Sequence, residues 1–298
     1  MRSHSVLPGD FADPWQHAIL LSDRSRNDAL LRMLALRAPG ARVLEVGCGT
    51  GLLSCVAAKL GAVHVYAVEP TPLVERAEAL VAANGLTDRV TVLRGRVEDL
   101  PPQEVDLAFS ELLNADPFLE GVVPAMDAAA RWLAPGGRLS PRRLKVYVAL
   151  AWACEPPEEH ALARTEVARI CAETGLAPGV VLDALDAWHP MRFVTHGERP
   201  ISTVACAFDL PLGTGAPAPE RADVLVRAKV EGEVGGALVW FSGELDDEIW
   251  MSNPPGAGTH WGQLVCGWKR SVRVRPGDAV RLTIERVGSE LVVVPTDS

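Results

Sequence analysis

ARVLEVGCGTG, residues 41–51, runs from a short apolar stretch into three glycines within five positions, and LLSCVAAKL follows at helical spacing. Bare backbone amides in such a loop can approach a ligand closely, and a helix that starts there favours electron-rich groups. Alone, the loop equally fits a tight turn; its surroundings decide. VHVYAVE (63–69), VTVLR (90–94) and VDLAFS (105–110) are further apolar strands, separated by helical stretches near 51–60 and 73–84. Strands alternating with helices predict a parallel, doubly wound α/β sheet. In LEGVVPAMDAAARWLAPGG (119–137) the Pro-Gly-Gly reads as the stop of the last crossover helix. Upstream, Ile19, Leu20, Leu30, Leu31 and Leu34 fall at helical spacings and predict one helix over 14–38.

Beyond about residue 140 the pattern turns to β. KVYVALAW, TVACAFDL, DVLVRAKV, ALVWFSGEL, VRLTIERV and ELVVV are strand candidates, punctuated by PLGTGAPAPE, NPPGAG and RPGD. Residues 155–186 interrupt them with helical character after a Pro-Pro break. The expected organisation is an N-terminal helical segment (1–38), a nucleotide-binding Rossmann-like α/β domain (39–140), and an antiparallel β-barrel or sandwich (141–298) with a helical arm at 155–186.

Of the 298 residues 48% are apolar, enough for a sizeable core. No apolar run reaches a membrane-span length, and MRSHSVLPGDFADPW lacks the apolar core of a signal peptide, so a cytoplasmic location is expected. The six cysteines lack metal-ligand or disulfide spacing, and no metal site is read from them. A net charge of -9 argues against nucleic acid as a partner and suits a cationic acceptor. Arginine outnumbers lysine 25 to 4, which we read as the mark of a GC-rich bacterial coding sequence.

The glycine spacing narrows the ligand. Gly47, Gly49 and Gly51 form GxGxG, whereas the dinucleotide fingerprint needs glycine at 52, where Leu52 stands. Glu69 ends the second strand, where a carboxylate accepts hydrogen bonds from a ribose diol, and Glu98 in GRVED can accept one from an adenine amino group. Together the three features point to S-adenosylmethionine.

With those residues in view, the chain resembles the protein arginine methyltransferase family over residues 11–288. VLEVGCGTG, YAVE, RGRVED and VDLAFSE match the family's cofactor-domain motifs in order; SELLNADPFLE (110–120) resembles its double-glutamate loop, and THWGQ (259–263) its THW loop. The spacing of His17, Asp23 and Arg26 matches the family's N-terminal helix. The resemblance implies a class I methyltransferase fold in which Arg26 holds the methionyl carboxylate of the cofactor and Asp23 meets His260. The implied cofactor set is His17, Arg26, Glu45, Gly47, Cys48, Gly49, Gly51, Glu69, Val97 and Glu98. Glu111, Glu120, His260 and Asp23 are the implied catalytic residues, and Trp261 joins the two glutamates at the acceptor.

A guanidinium is protonated at neutral pH and a poor nucleophile, and the methyl donor is itself a sulfonium cation. Paired carboxylates neutralise the acceptor, fix its plane and bias charge away from the attacking nitrogen. For Asp23–His260 a locking role is preferred over a proton relay. Departures from the family pattern matter too: its paired tyrosines are missing, with Phe11 and Trp15 the nearest aromatics, and the Trp-Met-Gly-Tyr of its asymmetric dimethylating members is replaced by Leu112, Leu113, Asn114 and Ala115. Leu-Leu there resembles the symmetric or monomethylating branches, while THW resembles the asymmetric one. The lost bulk favours monomethylation. Free L-arginine is favoured narrowly over peptidyl arginine; another amine or hydroxyl acceptor, or a silent scaffold, are the alternatives. Homodimerisation through the arm is expected. SNPPG (252–256) resembles the Asn-Pro-Pro of amino-group methyltransferases, but its place in the β region reads as a turn.

Overall fold

The computed structural model describes residues 14–152, 158–182 and 192–296. In chain order the first half comprises α1 (Pro14–Ser22), α2 (Arg24–Arg37), β1 (Arg42–Val46), α3 (Leu52–Lys59), β2 (His64–Glu69), α4 (Val74–Ala83), β3 (Val90–Arg94), β4 (Val105–Ser110), α5 (Val122–Ala130) and β5 (Leu133–Ser140). The strands form one five-stranded parallel sheet in the order β3-β2-β1-β4-β5. The order reverses between β1 and β4, so a crevice opens at the carboxyl ends of these strands, the usual ligand position in such sheets. β1 is buried at four of its five positions, as expected of a strand covered by helices on both faces.

Two expectations need correction. The helix over 14–38 is two helices, broken at Asp23, whose backbone leaves the helical region (φ -77°, ψ 96°) while its carboxylate accepts from the Arg26 N–H at 3.0 Å. A side chain that caps a new helix ends the old one. α2 then buries Arg26, Ala29, Leu30, Met33 and Leu34, a stripe at helical spacing that begins with a charge. The Pro-Gly-Gly stop belongs to no helix: α5 ends at Ala130, and residues 134–137 bulge out of β5 between Leu133, paired with Val105, and Arg138, paired with Leu107.

The second half holds β6 (Arg143–Trp152), α6 (Glu158–Thr174), β7 (Arg192–Thr195), β8 (Ala205–Pro211), β9 (Arg221–Arg227), β10 (Gly232–Asp246), β11 (Ile249–Ser252), β12 (Gln263–Val274), β13 (Ala279–Val287) and β14 (Glu290–Pro295). Its sheets are antiparallel: β7-β12-β10-β6-β8 with β11 on β10, and β14-β13-β9. Both sheets share a buried cluster, in which Val146, Val148 and Phe208 meet Val226, Leu282, Ile284 and Leu291. α6 lies within the expected arm. Phe11 falls outside the described residues, as do the side chain of Trp15, Cys154 and both ends of the arm.

Three contacts join the halves around the segment that follows β4. The Trp261 indole N–H donates to the Leu113 carbonyl at 2.8 Å, the Leu291 N–H donates to Asp116 Oδ2 at 2.8 Å, and Phe118 meets Phe208 edge-on at 5.8 Å. At the far end of α2, Arg37 grips Asp246 of β10 through two nitrogens.

Candidate active site

The glycine loop is shaped by positive φ at Gly47 (72°), Gly49 (55°) and Gly51 (77°), a backbone that side chains rarely adopt. Space forbids them as well. A Cβ on Gly49 would stand 2.8 Å from the His17 ring, and one on Gly51 2.9 Å from Ala77 of α4. α1 therefore lies across the loop, and the two form walls of one cradle. The Gly47 and Cys48 N–H groups are both spent on the Val68 carbonyl at 2.9 Å, which ties the loop to β2. Cys48 is buried and burial pushes its thiol well above the usual range, so it packs as a neutral residue.

Glu69, at the end of β2, is buried and accepts the Gly49 N–H at 2.8 Å and the Thr71 N–H at 2.9 Å, one on each oxygen. Each oxygen keeps a lone pair for a hydroxyl. Glu45 in the middle of β1 is buried against the Ser54 hydroxyl, and burial pushes its carboxyl up to about 8. Val97 is buried after β3, while Glu98 beside it is half-buried and pairs with Arg96 at 3.5 Å. Loop, buried carboxylates and covering helix form a cradle whose inventory fits a nucleoside with a diol.

Asp23 is the hub of the N-terminal wall. Besides capping α2, it accepts from both the backbone N–H (2.9 Å) and Nδ1 (2.8 Å) of His260 on one oxygen. Burial works to raise its pKa, but the hydrogen bonds from Arg26 and His260 outweigh that and hold it below the usual carboxylate range. Burial lowers His260, with Asp23 opposing. The consistent state is an ionised Asp23 accepting Nδ1–H of a neutral imidazole, which leaves a lone pair on Nε2.

Arg26 sits three residues into α2, 5% exposed. Its Nε and Nη2 both reach Oε2 of Glu111, at 2.6 and 2.5 Å, and Nη1 donates to Asn27 at 2.9 Å. The structure thus pairs Arg26 with Glu111, a partner the sequence did not disclose for it. The other oxygen of Glu111, Oε1, is buried without a partner. Glu120 accepts from Asn114 Nδ2 at 3.0 Å; burial, and then the charge of Glu111, push its carboxyl up to about 8. The charge of Glu111 felt at Glu120 shows that the two carboxylates share one electrostatic site, with Arg26 acting on Glu120 and both Glu111 and Arg26 acting on His260.

Trp261 is buried with its indole N–H on Leu113, packed against His260 (4.2 Å) and Phe241 (5.2 Å), so it braces the glutamate loop from behind. Sequence reasoning missed Asp116 and Asn253. Asp116 is a buried tie to β14. Asn253, in the segment read as a turn, is fully buried; its amide donates to the Gly262 carbonyl at 2.5 Å and accepts from the Phe241 N–H at 2.8 Å, shaping the loop that presents His260. An Asn beside two prolines was the available signal.

Among the described residues no group of three or more His, Cys, Asp or Glu is placed to hold a metal ion, and no helix is long and apolar enough to cross a membrane.

The Methyltransferase domain family matches residues 43–137. An arginine N(omega)-methyltransferase of Streptomyces achromogenes subsp. streptozoticus is 29% identical over 284 residues, covering 91% of this chain and 76% of the relative. A rice (Oryza sativa subsp. indica) protein named "Probable histone-arginine methyltransferase CARM1" is 30% identical over 81% of this chain, which spans 48% of that relative. The chain therefore spans about half the length of the plant protein. Among solved structures, protein arginine methyltransferase 10 of Arabidopsis thaliana superposes with a TM-score of 0.79 at 25% identity, covering 92% of this chain and 88% of the other. The Trypanosoma brucei PRMT1 enzyme-prozyme complex with AdoHcy shares the fold, with a TM-score of 0.76 at 21% identity over 96% and 93% of the two chains.

Proposed function

We propose that this chain, which belongs to the class I S-adenosylmethionine-dependent methyltransferases, transfers one methyl group to a terminal guanidino nitrogen of free L-arginine, acting as a cytoplasmic homodimer. The observation that carries the acceptor class is the carboxylate pair: burial, and then the charge of Glu111, push the Glu120 carboxyl up to about 8, and Glu111 Oε1 is buried with no donor. Two such groups incur a cost that a planar cation relieves. The relatives named for arginine methylation point the same way.

When bound, the cofactor supplies a methyl group on a positively charged sulfur. Its ribose fits Glu69, its adenine Glu98, and its carboxylate the Arg26 guanidinium, which Glu111 already holds in place. Around the acceptor, Glu111 and Glu120 neutralise the guanidinium, hold its plane and draw charge toward the nitrogens they bind, leaving the remaining nitrogen richer for in-line attack. Asp23 and His260 lock the THW loop to the start of α2. Leu112, Leu113 and Ala115 lack the aromatic bulk that would shape a second transfer, which is why monomethylation is our reading.

Incubation with isotopically labelled cofactor and either L-arginine or a Gly-Arg-rich peptide, followed by mass analysis, tests this. Monomethylarginine from the free amino acid is the expected product. Modification of the peptide alone would move the acceptor to polypeptides, and methylation of neither would overturn the assignment.

A further inference from the structure

Two polar side chains lie between the paired glutamates. Asp116 is turned to the second half, where it holds the Leu291 N–H at 2.8 Å. Asn114 is turned to the site: Nδ2 donates to Glu120 Oε1 at 3.0 Å, while Oδ1 accepts the Ala115 N–H at 2.7 Å and so sets the bend of the loop. The four carboxylate oxygens can then be accounted for. Glu111 Oε2 is taken by two nitrogens of Arg26, and Glu120 Oε1 is taken by Asn114. One oxygen of each glutamate remains, and that of Glu111 is buried without a donor.

Resting on the acceptor reading above, we propose that Asn114 is a positioning residue for arginine methylation. By holding Oε1 it fixes the plane of the Glu120 carboxylate, so that the guanidinium is gripped by one oxygen from each glutamate. The same hydrogen bond favours the ionised form of Glu120, because an amide N–H donates more strongly to a carboxylate than to a neutral acid. Burial and Glu111 oppose ionisation, whereas Asn114 and Arg26 support it. Asn114 is thus an uncharged group that acts on the ionisation of Glu120 through a direct hydrogen bond.

Asn114→Ala removes the donor to Glu120 and the acceptor for the Ala115 N–H without adding charge, whereas Asn114→Asp keeps that acceptor but sets a further carboxylate beside Glu120. A shift in both variants belongs to the lost donor, and one in Asn114→Asp alone to the added charge. The first readout is the Glu120 carboxyl carbon, followed by NMR of protein carrying carbon-13 in its glutamate side chains, without acceptor. We expect a native midpoint near 8, raised by about one pH unit in Asn114→Ala, the scale of one hydrogen bond to a charged group. The second readout is kinetic: at pH 7.5 KM for arginine rises about tenfold, while kcat at saturating arginine and high pH changes little. Unchanged midpoint and KM in Asn114→Ala, or a shift confined to Asn114→Asp, would overturn the inference. Failure of the native protein to bind or methylate arginine would instead sink the acceptor reading, and the NMR titration would still report on the Asn114–Glu120 contact.

Discussion

At neutral pH Glu120 stands close to its own midpoint, because burial and Glu111 hold its carboxyl at about 8. Only the ionised form attracts a guanidinium, so kcat/KM for arginine should climb with pH, with a midpoint near 8, and flatten above it. A bound cation lowers that pKa, so the kcat profile should turn at lower pH than kcat/KM. Glu120→Gln should lose the limb and about a hundredfold or more of activity, the loss expected when a buried charge pair is broken. Its stability should move the other way. A carboxyl raised from 4.5 to about 8 keeps its proton in the fold but not in the unfolded chain. Folding stability therefore falls as pH rises through that window, and Glu120→Gln should be the more stable protein above pH 8, by about a few kcal/mol in urea unfolding. Glu111→Gln should do the reverse. It strands Arg26, whose side chain is 6% exposed, and should cost about 3 kcal/mol or more.

At the scale of elements, α2 works as a strut whose first residues belong to the site and whose last residue fastens to β10. Asp23 sets its start. Asp23→Ala should remove a cap worth about 1 kcal/mol and release the His260 ring as well. Calorimetry should then show weaker cofactor binding, and thermal unfolding a lower midpoint. Asp23→Asn keeps an acceptor for the Arg26 N–H and should retain most of the stability. The strand–helix alternation of the first half was legible from the sequence because apolar period and glycine punctuation are local signals. β12 was not: QLVCGWKRSVRV mixes glycine and three cations into a strand whose place depends on β10 and β7. The break at Asp23 was hidden because an apolar period runs through it, and only the capping geometry tells two helices from one. Glu111 and Glu120 were visible from spacing, but the Arg26–Glu111 pair joins residues 85 positions apart and leaves no mark on either neighbourhood.

For the whole molecule, the arm shows an apolar surface, with Leu162, Leu176 and Val180 respectively 59%, 64% and 83% exposed. Exposed apolar side chains on an arm suit association, and a second copy of the chain is the occupant we propose. Light scattering after size exclusion should report a dimer for the native protein and a monomer for the double variant Leu176→Asp, Val180→Asp; a native monomer would contradict the proposal. The glutamate loop adds a different lesson. It springs from the α/β sheet, yet the β half restrains it at Leu113, Asp116 and Phe118. The loop thus answers to two stretches of the gene, through Arg26 of α2 at Glu111 and through the β half at Leu113, Asp116 and Phe118. The hairpin around Leu291 touches that loop at Asp116 and leaves the nucleoside cradle alone, so substitutions there should disturb the glutamate loop before they disturb the cradle, and remodelling of the one need not remake the other.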